Sequence, residues 1–596
     1  MLAIFAIWIL LSGLDDLFLD LAFLYRWFAL ALARRRAIRS ACPPTEADLL
    51  RAPRKHIAIF VPLWREHNVI RKMIEHNLKA NRYGHCDFFV GVYPNDEPTL
   101  AAVRVLVSRF PAVHLSVCPH AGPTSKADNL NWIFQSMLRF ESDRQAHFDV
   151  VVTHDAEDLI HPEELGWVNY HTQKYDMVQI PVLPLPTPAG ELLHGVYCDE
   201  FADYQSKELP VRQFLGGFLP SSGTGCGFSR SALDRLAAAH SGSIFEARCL
   251  TEDYENGFRL HRLGCSQLFV PITESNGAMV ATRGYFPRKF RAAVKQRSRW
   301  IMGIALQSWE LNGWRETAGQ LYWFWRDRKG LVGSLLGPVA NLVFFYGVAV
   351  WRLHGAGGSA AHLILDGHGW IVDTFAFSLT LQAVNMAMRM SFTGRIYGWR
   401  FASLAPLRAV LGNLINCLAS ASAVYRYSRA KWSGQPLGWL KTDHAYPNRL
   451  LGEILVGSNY LAAAELEEAL ATQPPGVRIG EHLVQCGKIT ERDLFECLSL
   501  QQDLAFQILD RSQVSRSAAR SLPAAVSHKW RVLPYKVAEG QLYIAGTDSP
   551  TDEMHRDLRR FSKLEIRFHL ITPTNFEILR DEFLPRTKMK STGPAS

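Results

Sequence analysis

Short apolar runs alternate with longer helical patterns between about residues 55 and 275. The runs HIAIFV, DFFVGVY, VHLSV and DVVVTHD predict strands, and the segments REHNVIRKMIEHNLKA and SKADNLNWIFQSMLRF predict helices. Such alternation indicates βαβ units in a parallel sheet, whose ligands bind beyond the carboxyl ends of the strands. The pattern therefore predicts an α/β domain with a binding site along one edge.

Three longer apolar stretches predict membrane helices, at residues 2–32, 331–351 and 370–388. The first lacks the basic start and the small-residue cleavage site of a signal peptide, so we expect it to remain as an anchor. It carries Asp16 and Asp20 four residues apart, which predicts a helix face that meets protein or water. The alternative is that these acids simply lie at the membrane interface.

A fourth apolar stretch, at about 401–427, has an ambiguous pattern. Its leucines follow helical spacing on one face, while Arg408, Asn413 and Ser422 interrupt the remainder. This pattern favours an amphipathic helix in the membrane interface over a span. If the stretch did cross the membrane, everything after it would lie outside the cytoplasm.

The net charge of +9 is distributed in clusters that flank apolar stretches. Such clusters are typical of cytoplasmic membrane flanks, so no nucleic-acid partner is expected. Arg34, Arg35 and Arg36 follow the first apolar stretch, which predicts a cytoplasmic location for the segment from about residue 40 to 328. The ten cysteines include no CxxC pair, which indicates reduced thiols and argues against a zinc site.

The segment VVTHDAEDLIHPEEL, residues 151–165, places three acids directly after a predicted strand. Asp155, Glu157 and Asp158 repel one another, so either they cap the following helix or a divalent cation holds them. Magnesium or manganese bound by one or two carboxylates normally completes its shell with substrate phosphates. The cation interpretation therefore predicts a metal bound together with a diphosphate.

These acids and five other segments, in order over about 250 residues, resemble the motifs of family-two glycosyltransferases. HDAED resembles their DxD motif, and KQRSRW contains their QxxRW motif in full. The other similar segments are VPLWRE, VYPNDEPT, SKADNLN and LTEDYENGFRL. The resemblance implies a GT-A (Rossmann-like) fold and a nucleotide-diphosphate sugar as donor, with a UDP-sugar as the expected form.

The resemblance also implies chemical roles for the acids. Asp253 would be the general base in a single in-line displacement, which inverts the anomeric centre. Glu252 would orient this base, or else would be a solvated acid at a helix start. Asp155 and Glu157 would hold Mg²⁺ or Mn²⁺ on the donor diphosphate. Glu157 stands where the family usually has Asp, so Asp158 is the alternative ligand.

Further residues are implied at the donor and acceptor sides of the site. Arg299 and Trp300 would close over the diphosphate and the acceptor sugar, although the basic face of their helix is also suited to anionic headgroups. The segment SSGTGCGFSR looks like a wall of small residues beside the acceptor. The donor-binding positions implied are Glu66, Asp96, Lys126 and Asp155, and the QxxRW positions are Gln296, Arg299 and Trp300.

An internal repeat with an offset of 28 relates residues 450–473 to residues 478–501. Helical hairpins account for the repeated leucines, but not for a glycine and a glutamine at equal positions. The repeat is similar to the tandem motif of the MshEN domain of type II secretion ATPases, and residues 528–550 resemble the β-containing half of that domain. Since some MshEN domains bind cyclic di-GMP, the resemblance implies this effector. Leu450 departs from the first motif, which usually starts with Arg. The implied contacts are Arg449, Leu451, Gly452, Leu455, Gln473, Arg478, Ile479, Gly480, Leu483 and Gln501.

Together these patterns predict five segments. They are an N-terminal membrane anchor (1–40), a cytoplasmic GT-A domain (41–328), transmembrane and interfacial helices (329–428), a linker (429–445) and an α+β MshEN-like domain (446–596). This arrangement resembles the bacteriophage N-four adsorption protein B group, whose members are inner-membrane proteins that work with an outer-membrane partner in making a surface polysaccharide.

We therefore expect a multi-pass protein of the bacterial inner membrane with cytoplasmic catalytic and C-terminal domains. Its reaction would extend a growing glycan or a lipid-linked acceptor to build an envelope or exported polysaccharide, with an outer-membrane partner for export. Transfer of a single sugar to a lipid carrier is a second option. A catalytically inactive receptor or scaffold that recruits partners through its MshEN domain is the alternative of a different class. The complete set of acids and the QRSRW motif favour the enzyme.

Overall fold

The computed structural model divides the chain into two compact units, Met1–Tyr446 and Pro447–Ser596. The described residues are 2–36, 44–67, 69–273, 279–314, 316–354, 369–434, 451–457, 460–502, 504–538, 540–562 and 564–584.

Helices of the first unit surround its sheet and extend beyond it. They are α1 (Leu2–Arg35), α2 (Glu46–Arg51), α3 (Ile70–Ala80), α4 (Glu97–Arg109), α5 (Lys126–Arg144), α6 (Glu164–Thr172), α7 (Leu192–Asp203), α8 (Leu209–Phe214), α9 (Arg230–Ala239), α10 (Glu252–Arg262), α11 (Phe290–Ile301), α12 (Ser308–Asn312), α13 (Ala318–His354), α14 (Gly369–Tyr397), α15 (Trp399–Ala402) and α16 (Ala405–Ser433). Two π-helical turns, Tyr204–Glu208 and Met302–Gln307, lie before α8 and α12.

The strands of the first unit form one large sheet and two short pairs. They are β1 (Ile57–Pro62), β2 (Cys86–Val92), β3 (Val113–Val117), β4 (Val150–Thr153), β5 (Met177–Gln179), β6 (Val182–Pro184), β7 (Cys226–Ser229), β8 (Gln267–Phe269), β9 (Ile272–Thr273), β10 (Met279–Val280) and β11 (Thr282–Gly284). The large sheet has the order β3-β2-β1-β4-β7-β5-β8. The predicted parallel sheet is confirmed for β1 to β4, whereas β7 runs antiparallel to β4 and β5.

The sheet is buried on both faces. Ile57, Ile59 and Val61 of β1 enter one hydrophobic cluster, while Ala58 and Phe60 enter the other. Because both faces are covered by helices, β1 is a continuous apolar run rather than an alternating one. This burial places the polar ligands of the domain at the strand ends and not on the sheet faces.

The acids of α1 face protein, as their spacing predicts. Asp15 accepts a hydrogen bond from the Tyr322 hydroxyl (2.8 Å) and pairs with Arg326. Asp20 lies 2.8 Å from the ammonium of Lys207 and is buried. The opposite face of α1 is an exposed apolar stripe, formed by Ile7, Leu11, Leu14, Phe18, Leu21, Tyr25 and Phe28.

Helix α16 packs against the sheet-containing domain along one face. Arg408, which is 1% exposed, forms a bidentate pair with Asp199 of α7 at 2.7 and 2.8 Å. Leu407, Leu414 and Leu418 remain exposed on the other face. The polar residues that interrupt the leucine pattern therefore meet protein, and the apolar face is the open one.

Within the described part of the chain, α16 is the one helix long and apolar enough to cross a membrane. The stretches 331–351 and 370–388 lie in α13 and α14, and the side chains of 343–345, 347–351 and 371–372 are outside the described residues. Their membrane crossings stay predictions. Whether α16 crosses or lies in the interface stays a prediction too, although its packed face agrees with the interfacial form.

The second unit combines eight described helices with a small four-stranded sheet. Its helices are α17 (Leu451–Gly457), α18 (Ala463–Thr472), α19 (Ile479–Gln485), α20 (Glu491–Gln502), α21 (Arg516–Ala519), α22 (Ala524–Trp530), α23 (Asp552–Arg559) and α24 (Pro573–Phe583). Its strands are β12 (Ala505–Phe506), β13 (Val532–Ala538), β14 (Gln541–Gly546) and β15 (Glu565–Leu570), in the order β12-β15-β14-β13.

Candidate functional site

Three segments of the first unit converge on one lysine. Lys126 is the first residue of α5, whose N-terminus is capped by the Ser125 side chain accepting from the backbone N–H of Asp128 at 3.1 Å. The Lys126 ammonium lies 2.6 Å from Asp155 Oδ1 and 3.8 Å from Glu252 Oε1. The loop after β4, the start of α10 and the start of α5 therefore meet at this point.

Burial raises the pKa values of the two acids at the start of α10. Glu252 is 4% exposed, and burial raises its pKa to about 7 although Lys126 opposes the shift. Burial likewise raises the pKa of Asp253 against the effect of Lys126. Glu252 can therefore accept a proton near neutral pH, and the raised pKa of Asp253 makes it a stronger base than an exposed aspartate. The alternative of Glu252 as a solvated helix-start acid is wrong, because this side chain is buried.

A glycine-rich turn lies directly beside these acids. Gly223 has a φ of +77°, and a Cβ added there would lie 2.8 Å from Asp253 Oδ2 and 3.4 Å from Lys126 Nζ. Gly225 has a φ of +60° and donates its backbone N–H to the Thr153 carbonyl of β4 at 3.0 Å. The small residues of this turn therefore leave room beside Asp253.

A buried polar network fixes the loop that carries Asp155. The imidazole of His154 lies 3.2 Å from Asp158 Oδ2 and 3.1 Å from Glu164 Oε1. Asp158 also accepts from the backbone N–H of Asp155 (2.7 Å) and from the Thr224 hydroxyl. Although burial favours the neutral ring, Glu164 and Asp158 raise the pKa of His154 to about 9. Motif comparison alone missed His154, Glu164 and Thr224, whose roles depend on long-range contacts.

The acids of the same loop differ in their suitability as metal ligands. The side chain of Asp155 is 34% exposed, whereas Asp158 is 2% exposed and uses Oδ2 in the network behind the loop. Asp158 therefore helps to hold the loop through this oxygen, and the choice between Glu157 and Asp158 as the second metal ligand stays a prediction. Among the residues that the structure describes, no three His, Cys, Asp or Glu side chains form a group that could hold a metal ion. Asp155, with Glu157 buried two residues later, fits an ion completed by donor phosphates and not a closed protein cage.

A cleft of about 830 Å³ opens beside this cluster. It is lined by Lys126, Glu252 and Arg299, and also by Tyr427 and Lys431 from the last turns of α16. This volume falls in the range of clefts that bind cofactor-sized ligands. The contribution of α16 has no local signal in the sequence, because it depends on how a distant helix packs.

Seven other predicted site residues are not part of the cleft lining, namely Glu66, Asp96, Asp155, Glu157, Asp253, Gln296 and Trp300. Glu66 and Asp96 are buried beyond β1 and β2, where Asp96 accepts the backbone N–H of Arg65 at 2.5 Å. Trp300 packs edge-on against Tyr197 of α7, with ring centroids 6.3 Å apart. Successive residues of a helix point about 100° apart, so Arg299 and Trp300 face different surroundings. The expectation that Trp300 closes over the site is therefore not met in this structure.

In the second unit, the repeat forms two matching helix pairs. A Cβ at Gly452 of α17 would lie 2.8 Å from Leu466 of α18, and one at Gly480 of α19 would lie 2.5 Å from Leu494 of α20. The repeated glycines thus permit close packing of the helices. Contact of these glycines with a ligand stays a prediction.

The other predicted effector contacts are a mixture of exposed and buried side chains. Arg478, at the N-terminus of α19, is exposed, and its guanidinium lies 3.9 Å from Asp548. Leu455 and Leu483 are fully buried, and the Gln473 side chain donates to the Val477 carbonyl at 2.6 Å. Leu451 and Ile479 begin α17 and α19, Gln501 lies in the last turn of α20, and Arg449 is outside the described residues.

Two domain families match the chain. Residues 53–303 match the glycosyltransferase-like family 2, and residues 503–589 match the MshEN domain. The MshEN match begins after the repeat, at the sheet-containing half.

One relative is similar over most of the chain, and two solved structures share parts of it. The bacteriophage adsorption protein B of Escherichia coli K12 is 32% identical over 572 residues, which are 91% of this chain and 76% of the relative. A mannosyltransferase of Pyrobaculum calidifontis in complex with GDP-Man and Mn²⁺ is 15% identical, covering 72% of this chain and 99% of its own, with a TM-score of 0.36. MshE with cdg is 26% identical, covering 23% of this chain and 99% of its own, with a TM-score of 0.21. By its identity to the first of these over nearly its whole length, the chain belongs to the bacteriophage adsorption protein B family, with a glycosyltransferase family 2 domain followed by an MshEN domain.

Proposed function

We propose that this protein is an inverting glycosyltransferase that uses a UDP-sugar at the bacterial inner membrane to build an envelope or exported polysaccharide. The observation that carries the proposal is the meeting of Lys126, Asp155, Glu252 and Asp253 in one cluster. Two of its members, Lys126 and Glu252, line the adjoining cleft of about 830 Å³. An inactive scaffold would have no need of a buried lysine shared by acids from two separate segments.

The residues of this cluster and of the cleft have separate roles in the proposed reaction. Asp253, beside the glycine turn, takes the proton of the acceptor hydroxyl as that oxygen attacks the anomeric carbon. Lys126 and Arg299 place positive charge where the departing nucleoside diphosphate gains negative charge. Asp155 and Glu157 would hold Mg²⁺ or Mn²⁺, which supplies Lewis-acid stabilisation of the leaving diphosphate. His154 and Asp158 keep the loop of Asp155 in place.

The exposed apolar faces support a membrane location. The stripe on α1 from Ile7 to Phe28 and the leucines of α16 are open in the same unit that buries Asp15, Asp20 and Arg408. Monomeric soluble proteins rarely expose apolar stripes of this length, whereas lipid-facing helices do.

Purified membranes that contain the protein provide the direct test of the activity. They would be incubated with a panel of UDP-sugars and Mg²⁺ or Mn²⁺, and released UDP would be measured. Release with at least one donor, above that of membranes without the protein, is expected. No release with any donor would instead favour the inactive scaffold.

The metal requirement is a separate prediction. UDP release is expected to stop in EDTA and to return with added Mg²⁺ or Mn²⁺, because Asp155 and the donor diphosphate are both negative and need a shared cation. Magnesium titration after EDTA treatment measures this dependence, with Zn²⁺ as a comparison cation. Full turnover in EDTA would show that Asp155 and Glu157 have a structural role only.

Cyclic di-GMP is expected to bind the second unit and to raise transfer. Its phosphates and guanines are suited to an exposed arginine, and Arg478 presents one at a helix N-terminus. Calorimetry on residues 446–596, which form a compact unit, should show binding that Arg478→Ala weakens about tenfold or more. Arg559→Ala, which removes another exposed arginine of the unit, is the control. Absence of binding at tens of micromolar would leave the domain as a protein-docking module.

A further inference from the structure

Helix α16 closes one side of the cleft beside Lys126, where it forms an ion pair with α12. Glu310 of α12 accepts a hydrogen bond from the Tyr427 hydroxyl at 2.5 Å and pairs with the Lys431 ammonium. All three residues line the cleft that also contains Lys126 and Arg299. The pair is therefore located in the same cleft as Lys126 and Arg299 and not on a remote surface.

The cleft cations differ in how firmly the protein holds them. Lys126 is largely buried and is shared by Asp155 and Glu252, while Arg299 donates to the Leu250 carbonyl at 3.0 Å. Those two cations are fixed by partners within the catalytic centre.

Lys431 is held much more loosely. Its side chain is 54% exposed and that of Glu310 is 46% exposed. Exposed ion pairs contribute little to stability, since water screens the attraction and ordering two long side chains opposes it. A ligand with several negative charges can therefore displace Glu310 from Lys431 at little cost.

We propose that Lys431 is a ligand for the diphosphate of the nucleotide donor and that Glu310 pairs with Lys431 when no nucleotide is bound. This inference rests on the proposed function and names a residue of the donor site that the motif pattern does not contain. A nucleoside diphosphate brings two or more negative charges into the cleft and offers Lys431 a stronger partner than one exposed carboxylate.

The connections of α16 explain how one lysine can be presented accurately. Arg297 of the QRSRW helix donates to Asn416 Oδ1 at 2.5 Å and to Glu200 at 3.0 Å. The Ser298 and Ser422 hydroxyls of the same two helices lie 3.3 Å apart. These polar contacts fix α16 to the helix that carries Arg299. The position of Lys431 relative to Arg299 is therefore held constant.

Replacing Lys431 and replacing Glu310 are expected to have opposite effects on nucleotide affinity. A purely structural ion pair would not give opposite effects. Lys431→Met is expected to weaken nucleotide binding about tenfold, because it removes a charged contact to phosphate. Glu310→Gln is expected to tighten binding about threefold or more, because it removes the competing charge and leaves the lysine in place. Lys431→Arg should retain most of the affinity.

The measurement is calorimetric binding of UDP and, separately, GDP to the full-length protein in lipid nanodiscs. Arg104→Met and Glu97→Gln are the matched controls, since this exposed pair (3.4 Å) lies outside the cleft lining, and both should leave binding unchanged. Shifts of the same direction in Lys431→Met and Glu310→Gln, or no shift in either, would overturn the role of Lys431 while leaving the proposed function intact. A wild-type protein that binds neither nucleotide would overturn both.

Discussion

Replacing Asp253 by Asn is expected to lower the turnover number by about a thousandfold while donor affinity changes little. The amide has the size of the carboxylate but cannot accept the proton of the acceptor hydroxyl, and a positioned general base contributes about 10²–10⁴ in rate. Asp253 lies beside both the glycine turn and Lys126, and burial raises its pKa, which makes it a stronger base than an exposed aspartate. The measurement is UDP release at saturating donor and acceptor, together with calorimetric binding of UDP.

Two companion variants make this result decisive. Asp143→Asn, an exposed acid at the end of α5, should retain full turnover. Glu252→Gln separates the two acids of the segment, because burial raises the pKa of Glu252 to about 7 and makes it the rival proton acceptor. Turnover of Asp253→Asn within about threefold of the parent, with Glu252→Gln inactive, would transfer the role of base to Glu252.

The part of the fold that was predictable is the part dictated by local pattern. Strands β1 to β4 follow runs of apolar residues, and the rule that ligands bind at the carboxyl ends of parallel strands placed Asp155 at the site. Lys126 at the first position of α5 and the acids at the start of α10 followed from motif order. In each case a short sequence segment determines both the secondary structure and the position of the site residue within it.

The remainder depends on contacts between residues far apart in sequence. The antiparallel direction of β7 is set by its pairing with β4 and β5, which its own four residues do not encode. Lys431 and Glu310 are separated by more than a hundred residues and look like ordinary surface charges in the sequence. The glycines at 452 and 480 are a further example, since their close packing against Leu466 and Leu494 is a role that the motif did not indicate, and their contact with an effector stays a prediction.

Gly223→Ala is expected to lower turnover by about ten- to a hundredfold, whereas Gly216→Ala should not. Both glycines have left-handed backbone geometry, with φ of +77° and +72°, so alanine costs each about 1 kcal/mol of backbone strain. Only their surroundings differ. A Cβ at Gly223 would lie 2.8 Å from Asp253 Oδ2 and 3.4 Å from Lys126 Nζ, whereas one at Gly216 meets nothing within 4 Å.

The added methyl group at position 223 must push Asp253 away from the acceptor, and displacement of a catalytic group by about 1 Å can cost two orders of magnitude in rate. Because the backbone strain is matched, the thermal unfolding temperature should fall by a similar small amount in both variants, while turnover falls in Gly223→Ala alone. The measurements are UDP release and unfolding monitored by intrinsic fluorescence. Equal turnover in the two variants would mean that the turn has room to relax, and that the acceptor hydroxyl approaches Asp253 from another side.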